Sequence, residues 1–288
     1  MSRTPKDYTN TVGKPNWCPG CGNFGIEAAL KNAFANLDLN PDNIALVSGI
    51  GCGANAPYWF STYGLVTLHG RPLPVATGTK LANHKLDVVV WAGDGDGYGI
   101  GMGHFIHSMR RNANLLYIVG NNTVYGLTKG QASPTARKGT KTPSTPFGTP
   151  DPNINPLAIA LSVGCSFVAR GYAGNLPHLT SLIAEGIKHK GFALIDILQP
   201  CVTYAKDMSY EFYQQRTYDL ASVNHNTSDK KAALERMSEE PDKFPIGIFY
   251  KEQREVYEDA QPQFSSGPLT THDISNVDIA PLFEGYSF

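Results

Sequence analysis

The sequence lacks the features that mark membrane-spanning, secreted and nucleic-acid-binding proteins. No stretch approaches the roughly 20 apolar residues that a membrane span needs, and the first ten residues, MSRTPKDYTN, contain no apolar segment of a signal peptide. No run of Lys or Arg stands out, and the formal net charge of −1 offers no attraction for nucleic acid. We therefore expect a soluble, cytoplasmic protein that binds neither membranes nor nucleic acids.

Charged residues are also scarce, and the cysteines do not suit a disulfide framework. Only 17% of the 288 residues are charged, whereas 41% are hydrophobic. This balance predicts a substantial core and a surface partly covered by another chain. The five cysteines cannot all pair with one another. In a reducing compartment such thiols are structural, catalytic or metal ligands.

Five short apolar segments predict buried strands of a parallel sheet. Each is rich in Val, Ile, Leu or aromatic residues and ends near Gly, Asn or Pro. These segments are 44–49, 87–92, 115–120, 166–170 and 192–198. Helical periodicity between the strands predicts helices at 24–37, 98–111, 155–164 and 176–189. The alternation predicts an α/β fold with a doubly wound, mostly parallel sheet.

Two regions interrupt this alternation. Residues 128–156 are rich in Gly, Pro, Thr, Ser and Lys and show no apolar periodicity, which is typical of a functional or disordered loop. The last part of the chain is polar and aromatic, with one charged helix predicted at 228–237 and capped by Ser228. We expect a globular domain over residues 1–204. Residues 205–288 are expected to form a non-globular extension that packs on the domain or on a partner.

Two polar motifs directly follow neighbouring predicted strands. The strand VVVWA runs into GDGDGYGIG, and the strand LLYIVG runs into NNTVYG. Open α/β sheets bind ligands at the carboxyl ends of their strands, so Asp94 and Asn122 are expected to lie side by side. A carboxylate and an amide oxygen suit Mg²⁺. Gly93 and Gly95 would let phosphates approach the backbone and the N-terminus of the following helix.

A Rossmann dinucleotide loop is the alternative interpretation of this glycine-rich turn. The spacing G-x-G-x-G differs from G-x-G-x-x-G, and the next strand ends in Asn121 and Asn122 and not in an acidic residue. The pattern instead resembles the GDG…NN motif of thiamine-dependent enzymes. That resemblance implies thiamine diphosphate with Mg²⁺, the metal being bound by Asp94, Asn122 and Val124. Asp96 either contacts the diphosphate or only holds the turn.

Four of the five cysteines are predicted to meet at one edge of the sheet. Cys18 and Cys21 form WCPGCG before the first predicted helix. Cys52 follows the first strand, and Cys201 follows the fifth. Four thiolates from three places suit zinc or a 4Fe–4S cluster, and their scattered spacing in a chain with a large core favours the cluster. Cys165 begins a strand at the opposite edge and is interpreted as a small buried hydrophobe.

Six motifs, in this order, resemble the β subunits of 2-oxoacid:ferredoxin oxidoreductases. They are WCPGCG, GIGCGANAPYW, LHGRPLPVATGTKLAN, VVVWAGDGDGYGIG, NNTVYGLTKGQASPT and DILQPCVTY, within about residues 15–205. The resemblance implies a sheet of the thiamine diphosphate-binding type and a 4Fe–4S cluster on Cys18, Cys21, Cys52 and Cys201. It also implies cofactor contacts from Gly93, Asp94, Gly95, Asp96, Asn122, Val124, Gly126, Leu127, Cys52 and His69.

The same resemblance implies a reaction and a set of partners. A 2-oxoacid is oxidatively decarboxylated to acyl-CoA and CO₂, electrons pass through the cluster to ferredoxin, and the reverse carboxylation is open. An α subunit, or a fused α–γ subunit, is expected to complete the thiamine site in a dimer of heterodimers. A non-redox thiamine-dependent decarboxylase subunit and an inactive scaffold are the alternatives. The complete set of cysteines and the intact motif argue against both.

The substrate is indicated only by the segment YGLTKGQ, which resembles the 2-oxoglutarate and broad-specificity members more than the dedicated pyruvate members. Lys129 in this segment would pair with a second carboxylate, which pyruvate does not have. Alternatively, Lys129 orders the loop or contacts a phosphate. We expect 2-oxoglutarate as the substrate, with pyruvate or a broad range of 2-oxoacids as the alternative. His69 is expected near the cofactor without a catalytic role.

Overall fold

Most strands of the chain lie in one twisted sheet. The computed structural model describes residues 2–286. Its strands are β1 (Ile44–Ser48), β2 (Tyr63–Val66), β3 (Asp87–Gly93), β4 (Leu115–Asn121), β5 (Val124–Tyr125), β6 (Gln131–Ala132), β7 (Phe167–Tyr172), β8 (Phe192–Leu198), β9 (Thr217–Asp219) and β10 (Phe244–Lys251). Within the described residues, eight strands form a sheet in the order β2-β1-β3-β4-β8-β7-β10-β9, and β5 pairs with β6. In the large sheet β10 runs antiparallel to β7, while the other pairs are parallel.

Helices cover both faces of this sheet. They are α1 (Asn23–Asn36), α2 (Pro72–Ala82), α3 (Met102–Arg111), α4 (Pro156–Ser162), α5 (Leu176–Lys188), α6 (Tyr210–Gln214) and α7 (Lys230–Met237). Side chains of α1 and α5 share one core with alternate strand residues such as Ile44 and Leu46. Ala45 and Val47 point to the other core, with α2, α3, α4 and α7. The predicted doubly wound sheet is therefore confirmed. No helix in residues 2–286 is long and apolar enough to cross a bilayer.

The helix ends follow local capping chemistry, with one difference from the sequence prediction. Asn155 caps α4, because its Oδ1 accepts a hydrogen bond of 3.1 Å from the Ala158 N–H. For α7 the cap is Asp229 and not the predicted Ser228, since the Asp229 carboxylate accepts from two N–H groups of the first turn.

The helix predicted at 98–111 is divided into two elements. Residues Gly95–Ile100 form a π-helical turn, and α3 begins only at Met102. Gly99 interrupts the turn with φ −86° and ψ −109°. Wide turns of this kind are frequent at functional sites. Here the turn carries the GDG segment directly from the end of β3 into α3.

The region after residue 204 is more integrated than predicted. The sequence predicted a non-globular extension, but β9 and β10 lie in the main sheet, where β10 covers the free edge of β7. Side chains of this region, such as Tyr213 and Phe244, pack with Val124 and Leu198 in a small third core. The segment 244–251 was missed because Pro and Gly interrupt its apolar pattern. The described residues after 251 contain no strand or α-helix.

Candidate active site at the carboxyl ends of the strands

The register of β3 and β4 brings the two polar motifs together. Gly93 in β3 lies opposite Gly120 in β4, so both chains leave the sheet at the same level. The residues that follow surround a cavity of about 140 Å³. Ten residues predicted as cofactor contacts line it: Cys52, His69, Gly93, Asp94, Gly95, Asp96, Asn122, Val124, Gly126 and Leu127.

Asp94 is buried in this cavity wall and held by two hydroxyl groups. Ser133 Oγ and Thr135 Oγ1 donate hydrogen bonds of 2.5 and 2.6 Å to the same oxygen, Oδ2. Neither hydroxyl occupies Oδ1. Burial raises the pKa of Asp94, and the two hydroxyl hydrogen bonds oppose that shift. Ser133 and Thr135 were not predicted as site residues, although both lie in the quoted motif NNTVYGLTKGQASPT.

The two asparagines of the NN motif have different surroundings. Asn122 borders the cavity, and its Oδ1 accepts a hydrogen bond of 3.1 Å from the Val124 N–H across Thr123, which has φ 62°. Such a turn fixes both the amide and the Val124 backbone. Asn121 Oδ1 instead lies 2.9 Å from Thr135 Oγ1 and shares its single hydroxyl proton with Asp94, and Asn121 Nδ2 donates to buried Asp196 (3.2 Å). The first asparagine therefore joins the end of β4 to the loop at Thr135 and to Asp196 of β8.

Asp96 connects three segments of the cavity wall. Its Oδ1 accepts hydrogen bonds from the Ile50 N–H at 3.1 Å and the Gly70 N–H at 2.6 Å. The same oxygen lies 2.9 Å from His69 Nδ1. Burial raises the pKa of Asp96, and the two N–H donors oppose that shift. Asp96 was predicted either to contact the diphosphate or to hold the turn, and these contacts match the second role. Its other oxygen, Oδ2, is buried without a hydrogen-bond partner.

The tautomer of His69 follows from these contacts. Its Nδ1 lies near two acceptors, Asp96 Oδ1 at 2.9 Å and the Ile50 carbonyl at 3.3 Å. Nδ1 must therefore carry a proton, because two acceptors cannot bind a bare nitrogen lone pair. The ring borders the cavity and is partly exposed. Nε2 is thus left for a group in the cavity.

Glycines shape this end of the sheet in two ways. A Cβ at Gly93 would meet no atom within 4 Å, so the backbone there faces open space. A Cβ at Gly95 would lie 2.2 Å from the Tyr125 ring, and one at Gly97 would lie 2.1 Å from Tyr117 Oη. The cavity floor is therefore open at the end of β3 and tightly packed two residues further along.

Four cysteines line a second cavity, of about 150 Å³. They are Cys18, Cys21, Cys52 and Cys201. Burial, followed by the charges of the three neighbouring thiols, raises the pKa of Cys52 to about 11. Within residues 2–286, no group of three or more His, Cys, Asp or Glu side chains is arranged to hold a metal ion. The four thiols thus surround a space without converging on one point.

The two cavities share a wall. Cys52, Asn122, Gly126, Leu127 and Gln199 line both of them. Gln199 was not predicted as a site residue, although it lies in the quoted motif DILQPC.

Lys129 does not contribute to either cavity wall. Its side chain is exposed, and its backbone adopts φ 76° in a turn closed by the hydrogen bond from its N–H to the Gly126 carbonyl, 3.2 Å. Lys129 thus stands outside the mouth, two residues beyond Leu127.

Cys165 lies at the amino edge of the sheet, as predicted. It is fully buried, and its Sγ donates to the Phe167 carbonyl at 3.3 Å. Burial raises its pKa to about 12.

Comparisons with known proteins identify the class of this sheet and site. Residues 44–197 match the family "Thiamine pyrophosphate enzyme, C-terminal TPP binding domain". Residues 201–266 match the family of the C-terminal region of the pyruvate ferredoxin oxidoreductase beta subunit. The large sheet, with Asp94 and Asn122 at the ends of adjacent strands, is thus that of a thiamine diphosphate-dependent enzyme.

Individual relatives narrow the class further. The 2-oxoacid:ferredoxin oxidoreductase subunit beta of Saccharolobus solfataricus is 46% identical, over 92% of this chain and 92% of the relative. The 2-oxoglutarate oxidoreductase subunit KorB of Mycobacterium tuberculosis is 43% identical, over 68% of this chain and 52% of the relative. The solved 2-oxoglutarate:ferredoxin oxidoreductase from Magnetococcus marinus, with 2-oxoglutarate, coenzyme A and succinyl-CoA bound, has a TM-score of 0.86 at 41% identity, covering 88% of this chain and 87% of that chain. This chain belongs to the β subunits of 2-oxoacid:ferredoxin oxidoreductases, which confirms the family predicted from the motifs.

Proposed function

We propose that this chain carries half of the active site for the CoA-acylating oxidative decarboxylation of a 2-oxoacid, with 2-oxoglutarate favoured. Its electrons would leave through a 4Fe–4S cluster to ferredoxin, and the same site would serve the reverse carboxylation. The observation that carries this proposal is the common wall of the two cavities. A cofactor that releases electrons and a group that accepts them need such proximity.

The first cavity fits thiamine diphosphate with Mg²⁺. Asp94, the Asn122 amide and the Val124 carbonyl supply oxygen ligands of the kind Mg²⁺ prefers, and Asp94 Oδ1 is not used by the two hydroxyls. The open backbone at Gly93 leaves room for phosphate oxygens. When bound, thiamine diphosphate supplies the electron sink for decarboxylation. His69 Nε2, directed by the Asp96 contact, would hydrogen-bond the cofactor.

The second cavity fits a 4Fe–4S cluster better than zinc. Zinc needs four ligands at about 2.0–2.3 Å from one point, and the described residues do not converge in that way. The cysteines of a cluster bind different irons and therefore stand around a larger volume. Cys18, Cys21, Cys52 and Cys201 surround such a volume. A bound cluster would take up and pass on single electrons.

The mouth of the thiamine cavity is suited to a partner chain. Ile50 and Leu127 line the cavity and are 38% and 55% exposed, and nearby Leu68 and Ile100 are 77% and 58% exposed. Apolar side chains grouped around a polar cavity are typical of an interface. We therefore assign this surface to an α or fused α–γ subunit that completes the thiamine site, in a dimer of heterodimers.

Two observations support 2-oxoglutarate as the substrate. The relative of known structure was solved with 2-oxoglutarate and coenzyme A, and Lys129 near the mouth suits a second carboxylate. A broad range of 2-oxoacids, pyruvate included, is the second candidate. It is favoured by the general name of the Saccharolobus relative, which matches over 92% of this chain, and by the pyruvate family model at 201–266.

The test uses the chain purified together with its α subunit. We expect a brown complex with broad absorption at about 400 nm that bleaches when 2-oxoglutarate and coenzyme A are added together. Rates with 2-oxoglutarate, 2-oxobutyrate and pyruvate then rank the substrates. A colourless complex with one zinc per chain would contradict the redox function, and equal rates with all three acids would replace 2-oxoglutarate by the broad range.

A further inference from the structure

Gln199 occupies a constrained place between the two cavities. It directly follows β8, is 3% exposed, and its backbone N–H donates to the Asn121 carbonyl at 2.9 Å. Two glycines enclose its side chain. A Cβ at Gly22 would lie 2.7 Å from Gln199 Cγ, and one at Gly120 would lie 2.3 Å from Gln199 Oε1. The side chain therefore packs closely against both glycines, with Oε1 beside Gly120 in the wall of the thiamine cavity.

The amide nitrogen of Gln199 is directed at the other cavity. Its Nε2 donates a hydrogen bond of 3.6 Å to Cys21 Sγ, and both residues are buried. A second donor, Thr203 Oγ1, lies 3.3 Å from Cys18 Sγ in an exposed position. Two of the four thiols thus have a side-chain donor, one enclosed by protein and one open to water.

Such donors affect the redox state of a thiolate-bound cluster. Reduction by one electron makes the site more negative by one unit charge, so an N–H···S hydrogen bond stabilises the reduced form more than the oxidised form. The effect is large where water cannot replace the donor. The effect is small where water can replace the donor. The buried Gln199–Cys21 contact should therefore affect the reduction potential more than the exposed Thr203–Cys18 contact.

We propose that Gln199 is a positioning residue that raises the reduction potential of the 4Fe–4S cluster through its hydrogen bond to Cys21. The cluster is thereby set to accept single electrons from the adjacent thiamine cavity before they pass to ferredoxin. This inference rests on the proposed function, because it needs a cluster on the four cysteines. It adds a residue that acts on the electron acceptor without being a ligand.

The experiment is a redox titration of the intact complex, followed by electron paramagnetic resonance of the reduced cluster. Gln199→Met keeps the length of the side chain and removes the donor. We expect a lower potential, with the ratio of reduced to oxidised cluster at fixed potential falling about tenfold, which is about 59 mV for a one-electron couple. Thr203→Val should shift the potential less, and Thr203→Ser, which keeps a hydroxyl, should match the wild type.

Iron content and the wild-type spectrum separate a failure of the proposed function from a failure of the role proposed for Gln199. A wild-type complex that binds no iron contradicts the proposed function and this inference with it. A wild-type complex that bleaches with substrate, together with a Gln199→Met variant of unchanged potential, overturns this inference alone. If Gln199→Met does not retain iron, Gln199→Glu provides the measurement. It keeps the shape but replaces the donor by an oxygen, so an unchanged potential there also overturns the role of Gln199.

Discussion

The two edges of the large sheet both bury polar groups, but they differ in how these groups are paired. At the amino edge Asn112 uses all of its side-chain polar atoms. Its Oδ1 accepts from the Ser166 hydroxyl at 2.7 Å and the Phe192 N–H at 2.9 Å, and its Nδ2 donates to two backbone carbonyls. Ser166 in turn contacts His189 Nε2 at 2.8 Å. These contacts tie the strand starts together. His189 Nδ1 is left without a partner and borders a cavity of only about 50 Å³.

At the carboxyl edge several polar atoms are left without partners in the described structure. Asp96 Oδ2, Trp91 Nε1 and Tyr117 Oη are buried there without a hydrogen bond. Unpaired buried groups cost free energy unless a ligand or water completes them. Buried polarity alone therefore does not mark a site in this fold, and neither does one unpaired atom such as His189 Nδ1. The carboxyl edge differs because two of its unpaired groups, on Asp96 and Trp91, line the cavity of about 140 Å³.

The largest expected effect comes from exchanging one acid at each end of the same strand. Asp94→Asn, at the carboxyl end of β3, should weaken thiamine diphosphate binding at least about a hundredfold, because the proposed Mg²⁺ would lose its charged ligand. Asp87→Asn, at the amino end of β3, should leave binding unchanged. Calorimetric titration with thiamine diphosphate and Mg²⁺ measures the affinity of both variants. An equal loss of affinity in the two variants would mean that the two edges do not differ in cofactor binding.

Cysteines at the two edges should differ in a spectrum. Cys52→Ala should abolish the absorption at about 400 nm, because the proposed cluster would lose a ligand. Cys165→Ala should keep the full absorption and lower the free energy of unfolding by about 1 kcal/mol, through a small cavity. Visible spectra and urea unfolding test the pair. A Cys52→Ala complex that kept its colour and iron would remove Cys52 from the ligand set.

His189, at the amino edge of the sheet, should account for part of the stability that the protein loses in acid. Burial, followed by the Lys251 charge, lowers the pKa of His189 from 6.5 to about 4. Between these values the unfolded chain binds a proton that the folded chain does not. Stability is therefore complete above pH 6.5 and declines towards pH 4, by at most about 3 kcal/mol from this group. Urea unfolding at pH 7 and pH 5 should show a smaller loss in His189→Gln, and an unchanged loss would assign the acid sensitivity to other groups.

The smallest effect is expected outside the carboxyl edge, at Lys129. Lys129→Met should raise the KM for 2-oxoglutarate by up to about fivefold, since an exposed ion pair contributes at most about 1 kcal/mol. The KM for 2-oxobutyrate, which lacks the second carboxylate, should not change. Lys138→Met in the same loop is the matched control. A parallel change for both substrates would indicate that Lys129 only orders the loop.

Much of the fold could be predicted because the buried strands carry continuous apolar runs. The segment predicted at 192–198 matches β8 at both ends, and the other four predicted strands differ from the structure by one or two residues. β2 was missed because Tyr63–Val66 is a short edge strand with every residue exposed, so burial imposes no pattern on its sequence. β10 was missed because Pro and Gly interrupt its apolar pattern.

The candidate site could be predicted where it follows a strand and not where it comes from a loop. The predicted cavity residues lie next to strand ends or inside the motifs, and the structure brings ten of them together. Ser133 and Thr135 reach Asp94 from a loop without periodicity, so no local pattern could place them. The orientation of Gln199 towards Cys21 depends on two glycines far apart in the sequence. Contacts of this kind appear only once the chain is folded.

The strand ends have one further consequence, for the lifetime of the protein. Cys52 follows the end of β1, Asp94 that of β3, Asn122 that of β4, and Cys201 that of β8. No single segment can present these groups before the sheet has formed, so a bound ligand favours only the folded chain. A ligand at about 100 times its Kd adds about 2.7 kcal/mol to the free energy of unfolding. On the proposed function, a good supply of thiamine diphosphate and iron would thus lower the fraction of unfolded chain that is open to proteolysis.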